Sequence, residues 1–157
     1  MRVICGDVGG NFGTRNRVYP EIPLILYAAK SLNRPIKWTA DRNECMLSDL
    51  QGRDLISSLS LAINKYGKFL ALKGHNISNV GGYTVSYAPL SKGAGIATGP
   101  YDIETASLKL NAYLTNTPPT NPYRSAGRPE CIFALERLID SAARKLRVDR
   151  IELRRKI

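Results

Sequence analysis

Two hydrophobic periods alternate along the chain. Between residues 55 and 72 the period is two: Leu59, Leu61 and Ile63 alternate with Ser60, Ala62 and Asn64. The run Asn64-Lys65-Tyr66-Gly67 then reads as a turn, and the apolar pattern returns at Phe69. This predicts an antiparallel hairpin that continues towards Ile77. Residues 103–114 form a further strand, with Ala106, Leu108, Leu110 and Ala112 alternating with polar positions. Shorter strands are expected at residues 2–7 and, half-buried, at 36–39. Apolar residues cover most faces of residues 24–32, which follow Pro20 and Pro23 and precede Asn33-Arg34-Pro35. That predicts a short buried helix. Ile132, Leu135, Leu138/Ile139, Ala142 and Leu146 repeat at 3.6 residues behind Pro129, the stripe of an amphipathic helix. A second short helix is expected over 149–156. Residues 41–54 carry neither period and read as a loop. Residues 81–100, rich in glycine, read as a long loop of the kind that often carries function.

Strands and helices without a regular β-α-β alternation give an α+β fold, a mixed or antiparallel sheet with packed helices. At 157 residues the expectation is a single domain over 1–157. The chain stops at Ile157 inside a helical pattern, so a piece of a larger subunit is expected. With 43% hydrophobic and 23% charged residues the composition is globular. No apolar run reaches the ~18 residues of a membrane span, and residues 1–7 lack the apolar stretch of a signal peptide. Cys5, Cys45 and Cys131 are odd in number and have no Cys-x-x-Cys spacing. They argue against a disulfide framework and point to a reducing, cytoplasmic setting.

A net charge of +10 calls for an anionic partner. Half of the excess lies in residues 124–157, where 10 basic side chains face 5 acidic ones. No Lys/Arg block with interleaved aromatics marks a nucleic-acid groove, and nucleic-acid or other anion binding by a non-enzymatic basic domain stands as the alternative reading. Three segments could carry chemistry. Gly6-Asp-Val-Gly9-Gly10-Asn-Phe12-Gly13-Thr-Arg15 is a glycine-rich turn able to aim backbone N–H groups at an anion. It lacks the Gly-Lys-Ser/Thr of a P-loop, and it serves equally as a structural turn. In the proline-stiffened segment 117–130, Arg124 stands before the last long helix. It either clamps an oxyanion with its guanidinium fork or pairs with an acid such as Glu130. Arg154-Arg155-Lys156 is either a phosphate contact or a solvated helix face. His75 is the only histidine, so a histidine-based metal site or a Ser-His-Asp triad is not expected. A lone His there is more often structural.

Five segments together resemble the molybdenum-binding large subunit of the xanthine dehydrogenase, aldehyde oxidase and carbon monoxide dehydrogenase family. They are Gly-Asp-Val-Gly-Gly-Asn-Phe-Gly-Thr-Arg (6–15), Arg-Pro-Ile-Lys-Trp-Thr-Ala-Asp-Arg-Asn-Glu (34–44) and Gln-Gly-Arg-Asp (51–54). Pro-Tyr-Arg-Ser-Ala-Gly-Arg-Pro-Glu followed by Leu-Glu-Arg-Leu-Ile-Asp (122–140), and Ile-Glu-Leu-Arg-Arg-Lys (151–156), complete the set. They keep the family's order and spacing over nearly the whole chain.

The resemblance implies an oxidoreductase that inserts oxygen from water into a C–H bond of an aldehyde or aromatic heterocycle. Its cofactor is molybdenum-molybdopterin, in bacterial members with a cytosine dinucleotide. Its partners are iron–sulfur and FAD-binding subunits, the rest of the large subunit and a small-molecule substrate. By the same resemblance Gly9, Gly10, Phe12 and Gly13 form the loop beside the cofactor, with Phe12 packing near the metal. Arg124 is the catalytic arginine near the substrate oxygen, and Arg155 lies close to the cofactor. No side chain of this segment is a metal ligand.

Four departures from the family pattern narrow the expectation. Ser125 stands where the carbon monoxide-oxidising members carry a copper-binding cysteine, so the Mo–Cu reaction is not expected. Asn16 stands where purine-oxidising members carry a glutamate. Asn11 replaces a glycine, and the turn is expected to survive because Asn tolerates the left-handed conformation. Ile157 stands in place of the asparagine that usually follows Arg-Arg-Lys. The family's general base is a glutamate far downstream of these segments, so residues 1–157 alone are expected to be inactive.

Overall fold

The computed structural model describes residues 2–156; the substitution at Ile157 lies outside them. Eight elements follow in the order α1 (Glu21–Leu32), α2 (Arg42–Ser48), β1 (Leu55–Ile63), β2 (Phe69–Gly81), α3 (Ala88–Ala94), β3 (Thr105–Leu114), α4 (Arg128–Leu146) and α5 (Arg150–Arg155). The α+β expectation holds. A three-stranded mixed sheet in the order β1-β2-β3 packs against α4, with β1 and β2 antiparallel and β2 and β3 parallel.

The hairpin forms where the period-two pattern places it. Asn64 closes its turn by accepting the Tyr66 and Lys68 N–H groups on its side-chain oxygen, while Gly67 takes a φ of +92° that glycine adopts without a Cβ penalty. Along β1 the odd positions Leu55 to Ile63 turn inward and the even ones outward. Leu59 and Leu108 close over Gly74 from the two neighbouring strands. A Cβ there would come within 2.7 Å of both leucine side chains, so the absence of a side chain on β2 lets the outer strands pack.

Phe69, Leu72, Leu135, Ile139, Ala143 and Leu153 form the buried core. The face of α4 that they use is rotated from the stripe read in the sequence. Cys131, Leu135, Ile139 and Ala143 are buried, whereas Ile132 and Leu146 stay exposed. Asp149 caps α5 by accepting the Ile151 and Glu152 N–H groups. Arg154 then fastens α5 to α4 through Glu136 at 2.5 Å and Asp140 at 2.9 Å. His75 hydrogen-bonds Asn111 across β2 and β3 at 2.8 Å, a structural role.

Four expectations fail. Residues 2–7 and 36–39 form no strand and join no sheet. Residues 41–54 contain α2, capped by Asp41, whose carboxylate accepts the Glu44 N–H at 2.7 Å. The parallel pairing of β2 with β3 requires a crossover, and residues 82–104 supply it with α3 inside. Finally, α1 buries none of its residues. Ile22, Leu24, Leu26, Tyr27 and Leu32 are all exposed, although an apolar helix of this kind is normally covered.

Candidate functional site

The glycine-rich turn is built from left-handed residues. Gly10, Phe12 and Gly13 take φ values of +113°, +52° and +97°. Asn11 itself is not among them. Its side chain accepts the Gly13 N–H at 2.8 Å, an Asx turn, and the left-handed strain falls on Phe12. The Phe12 ring folds back over Gly10, where a Cβ would stand 2.5 Å from it. At Gly13 a Cβ would meet the Pro122 carbonyl oxygen at 2.7 Å. The turn is therefore pressed against the proline-rich segment more than 100 residues downstream.

Asn121 holds that contact. It is wholly buried, and its amide donates to the carbonyls of Thr14 at 2.9 Å and Gly13 at 3.4 Å. Residues 51–54 run beside the same segment. Gln51 bridges Thr120, its carbonyl accepts the Asn121 N–H at 2.8 Å, and its side chain donates to Pro118 and Thr117. On the other flank Asp49 accepts from Arg15 at 2.7 Å and from the Tyr19 hydroxyl at 2.6 Å. Burial, then the hydrogen bond to Asp49, pushes the Tyr19 phenol up to about 12.

Arg124 precedes three consecutive left-handed residues, Ser125, Ala126 and Gly127, with φ of +71°, +36° and +86°. Such strain persists only where the surroundings impose it. Here α3 does so. A Cβ on Gly127 would stand 1.7 Å from the Pro89 carbonyl oxygen, and one on Gly93 would stand 2.7 Å from both Cys131 Sγ and the Gly127 carbonyl oxygen. Gly127 is thus a point of close approach rather than a flexible exit. Arg124 does not pair with Glu130. Arg53 takes that partner, at 3.4 Å, and the Arg124 guanidinium is left exposed.

Three of the sequence-expected residues, Phe12, Gly13 and Arg124, meet in one open cleft of about 410 Å³, lined also by Pro122, Tyr123 and Arg128 together with Lys92 and the 125–126 turn. Three cations and no acid face it. Gly10 lies under the Phe12 ring, whereas Gly9 is exposed, and a Cβ there would meet no atom within 4 Å. Arg155 does not join them. It pairs with Glu152 on α5 at 2.5 Å, away from the cleft lining. Sequence reasoning missed Lys92, because α3 read as loop, and it missed Arg53 and Asn121, whose roles depend on contacts between distant segments.

The surface fits an anionic, phosphate-bearing cofactor. The Lys92, Arg124 and Arg128 side chains that face the cleft match the charge of such a cofactor. Among the described residues no three His, Cys, Asp or Glu side chains gather into a metal-ligand set. A metal here would be carried by the cofactor.

The pattern of the molybdopterin cofactor-binding domain matches residues 1–157. The chain is 38% identical over 152 residues to the 6-hydroxypseudooxynicotine dehydrogenase complex subunit gamma of Paenarthrobacter nicotinovorans, covering 96% of this chain and 19% of that one. Quinoline 2-oxidoreductase from Pseudomonas putida 86 superposes with a TM-score of 0.89 at 33% identity, over 95% of this chain and 20% of that one. The Cu,Mo-CO dehydrogenase superposes with a TM-score of 0.90 at 32% identity, over 98% and 20%. The chain spans about a fifth of the length of these relatives. The family pattern runs along the whole chain, which belongs to the molybdopterin cofactor-binding domain family, the group that includes carbon monoxide dehydrogenase large chains and xanthine dehydrogenase molybdenum-binding subunits.

Proposed function

We propose that this chain forms part of the catalytic large subunit of a molybdenum hydroxylase, where it presents the 9–13 turn to the pterin cofactor and Arg124 to the substrate. The observation that carries the reading is the meeting of Phe12, Gly13 and Arg124 in one cleft whose charged side chains are all cations. The cofactor, when bound, supplies the two-electron acceptor for inserting a water-derived oxygen into a C–H bond. The chain's own residues bind and orient. Backbone at Gly9 admits close approach, the Phe12 ring packed on Gly10 shapes the reacting region, and Lys92 and Arg128 match anionic charge. Arg124 donates its guanidinium N–H groups to the substrate oxygen as negative charge grows there.

The substrate is an aldehyde or aromatic heterocycle. Relatives named for quinoline and for 6-hydroxypseudooxynicotine support the heterocycle. Ser125, standing where the copper-binding cysteine of the carbon monoxide enzymes is expected, argues against the Mo–Cu reaction. Resemblance to bacterial members supports the cytosine dinucleotide form of the pterin. Relatives described as a complex subunit gamma and as a large subunit support separate iron–sulfur and FAD-binding partners. The uncovered apolar face of α1 supports burial within a longer subunit, and isolated residues 1–157 are proposed to be inactive. The nucleic-acid alternative loses ground because the cations are dispersed. Arg15, Arg53, Lys68, Arg150, Arg154 and Arg155 each pair with a carboxylate instead of lining one groove.

The test is made on the intact subunit assembled with its partners. Molybdenum analysis is expected to find metal in the complex, and turnover of an aldehyde or an N-heterocycle is measured with and without Arg124→Ala. The substitution is expected to keep the metal and to lower kcat/KM by about 10²–10³. A metal-free complex, or Arg124→Ala at the unsubstituted rate, overturns the reading.

A further inference from the structure

Arg53 stands at a junction the proposed reaction has not yet used. It is a non-glycine residue held at φ +60°, the left-handed region that an L side chain occupies only under constraint. Its guanidinium makes three contacts at once. One nitrogen donates to the Arg124 carbonyl at 2.7 Å, another meets the Glu130 carboxylate at 3.4 Å, and the plane lies over the Tyr123 ring at 5.1 Å. Glu130 is the more enclosed partner, with its side chain only 13% exposed, so the pair is anchored on the α4 side. The neighbouring backbone keeps Arg53 in place: a Cβ on Gly52 would touch the Tyr123 side chain at 3.0 Å, so the 51–54 segment lies flat against the arginine loop.

We infer that Arg53 is a positioning residue, whose fork fixes the Arg124 carbonyl and so sets where the Arg124 guanidinium points. This rests on the proposed function of Arg124 and deepens it. The carbonyl that Arg53 grips sits immediately before the left-handed run 125–127, the strained point of the loop. Without that grip the Arg124 peptide is free to rotate, since among the described residues its carbonyl has no other hydrogen-bond partner. A guanidinium serves here where an ammonium does not: carbonyl, carboxylate and ring are met together by one planar fork. Arg53 does not itself line the cleft, so its effect passes through Arg124. Misplacement of a charge-stabilising group by about 1 Å is enough to lower a rate by about 10².

The experiment is a double-mutant cycle in the assembled molybdenum enzyme, with kcat and KM measured for wild type, Arg53→Gln, Arg124→Ala and the double variant, and metal content measured for each. Arg53→Gln is expected to retain its molybdenum and to lose about 10-fold or more in kcat/KM, and the double variant to be no slower than Arg124→Ala alone. A structural role would instead multiply the two losses. If Arg53→Gln loses the metal, the cycle is run with Arg53→Lys, which keeps the charge but gathers its donors on one nitrogen and lacks the fork, and the same coupling is expected. Arg53→Gln at the wild-type rate beside an impaired Arg124→Ala, or multiplicative losses with either variant, overturns the positioning role and leaves the function of Arg124 standing. Arg124→Ala at the wild-type rate overturns the functional reading itself, and the role of Arg53 with it.

Discussion

Asn121 and Thr14 are joined by a buried hydrogen bond of 2.9 Å between residues 107 positions apart. It fixes the glycine-rich turn to the arginine loop. Removing the amide leaves the Gly13 carbonyl beside a void and the Thr14 carbonyl with only the Tyr19 hydroxyl, at 3.3 Å, and an unmet buried polar group costs about 1–3 kcal/mol. Asn121→Ala is expected to lower stability by that amount in denaturant unfolding. Asn121→Asp is expected to be worse, because it sets a carboxylate against two carbonyl oxygens in a buried site. An Asp variant as stable as wild type at neutral pH would show that the amide donor is not what joins the two segments.

The glycines of the turn separate into two kinds. Gly13→Ala forces a Cβ onto the Pro122 carbonyl at 2.7 Å while φ stays at +97°, so a loss of about 1–3 kcal/mol is expected. Gly127→Ala, with 1.7 Å to the Pro89 carbonyl oxygen, is expected to prevent the loop from forming. Gly9→Ala meets nothing within 4 Å and is expected to leave thermal stability within ~0.5 kcal/mol. The pair Gly9→Ala and Gly13→Ala thus distinguishes ligand approach from folding. Under the proposed function, Gly9→Ala lowers molybdenum content without lowering the melting temperature.

These contacts explain which parts of the molecule were legible in the sequence. The hairpin and α4 rest on local periodicity, and a linear pattern reports them. The rotation of the α4 stripe onto Cys131 and Ala143 does not follow from periodicity, because small residues such as Cys131 are buried by the close approach of other elements. Helix α3 itself was hidden by Gly93 and Gly95, of which Gly93 is required by packing against Cys131 rather than by a turn. For α2 a signal did exist: Asp41 and Glu44 are spaced as an N-cap and its third residue. The cleft was readable only as motifs. Phe12, Gly13 and Arg124 stood out by residue type, whereas Arg53 and Asn121 act through partners 71 and 107 residues away.

Arg154 is the bolt between α5 and α4, with its side chain 21% exposed and paired to both Glu136 and Asp140. Arg154→Ala is expected to cost about 1–3 kcal/mol, read from the denaturant midpoint. The same pair gives an acid dependence. The hydrogen bond from Arg154 holds the Asp140 carboxyl below its ordinary 3.8, outweighing burial. A depressed carboxyl contributes stability that is present above its unfolded value and is lost as pH falls through the folded one. Below about pH 4 the wild type is therefore expected to lose stability more steeply than Arg154→Ala, and parallel acid profiles would remove Asp140 from this account.

Tyr19 supplies the opposite sign at the other end of the pH scale. Burial and the hydrogen bond to Asp49 raise its phenol from 10.0 to about 12, so the folded state keeps a proton that the unfolded chain releases earlier. Stability from this group is complete below the unfolded value and is lost as pH rises towards the folded one. Between pH 10 and 12 the tie linking Arg15, Tyr19 and Asp49 is expected to weaken, freeing residues 14–19 from α2 before the hairpin and α4 unfold. Spectrophotometric titration should show Tyr19 ionising late, beside Tyr101, whose phenol is also raised by burial and by its hydrogen bond to Glu136, and Tyr19→Phe should remove one late-ionising group while flattening the loss of stability over the same window. A late step undiminished in Tyr19→Phe would assign it wholly to other tyrosines, Tyr101 first among them. Asp49→Asn should advance the step towards 10, since the amide carries no charge to oppose a phenolate.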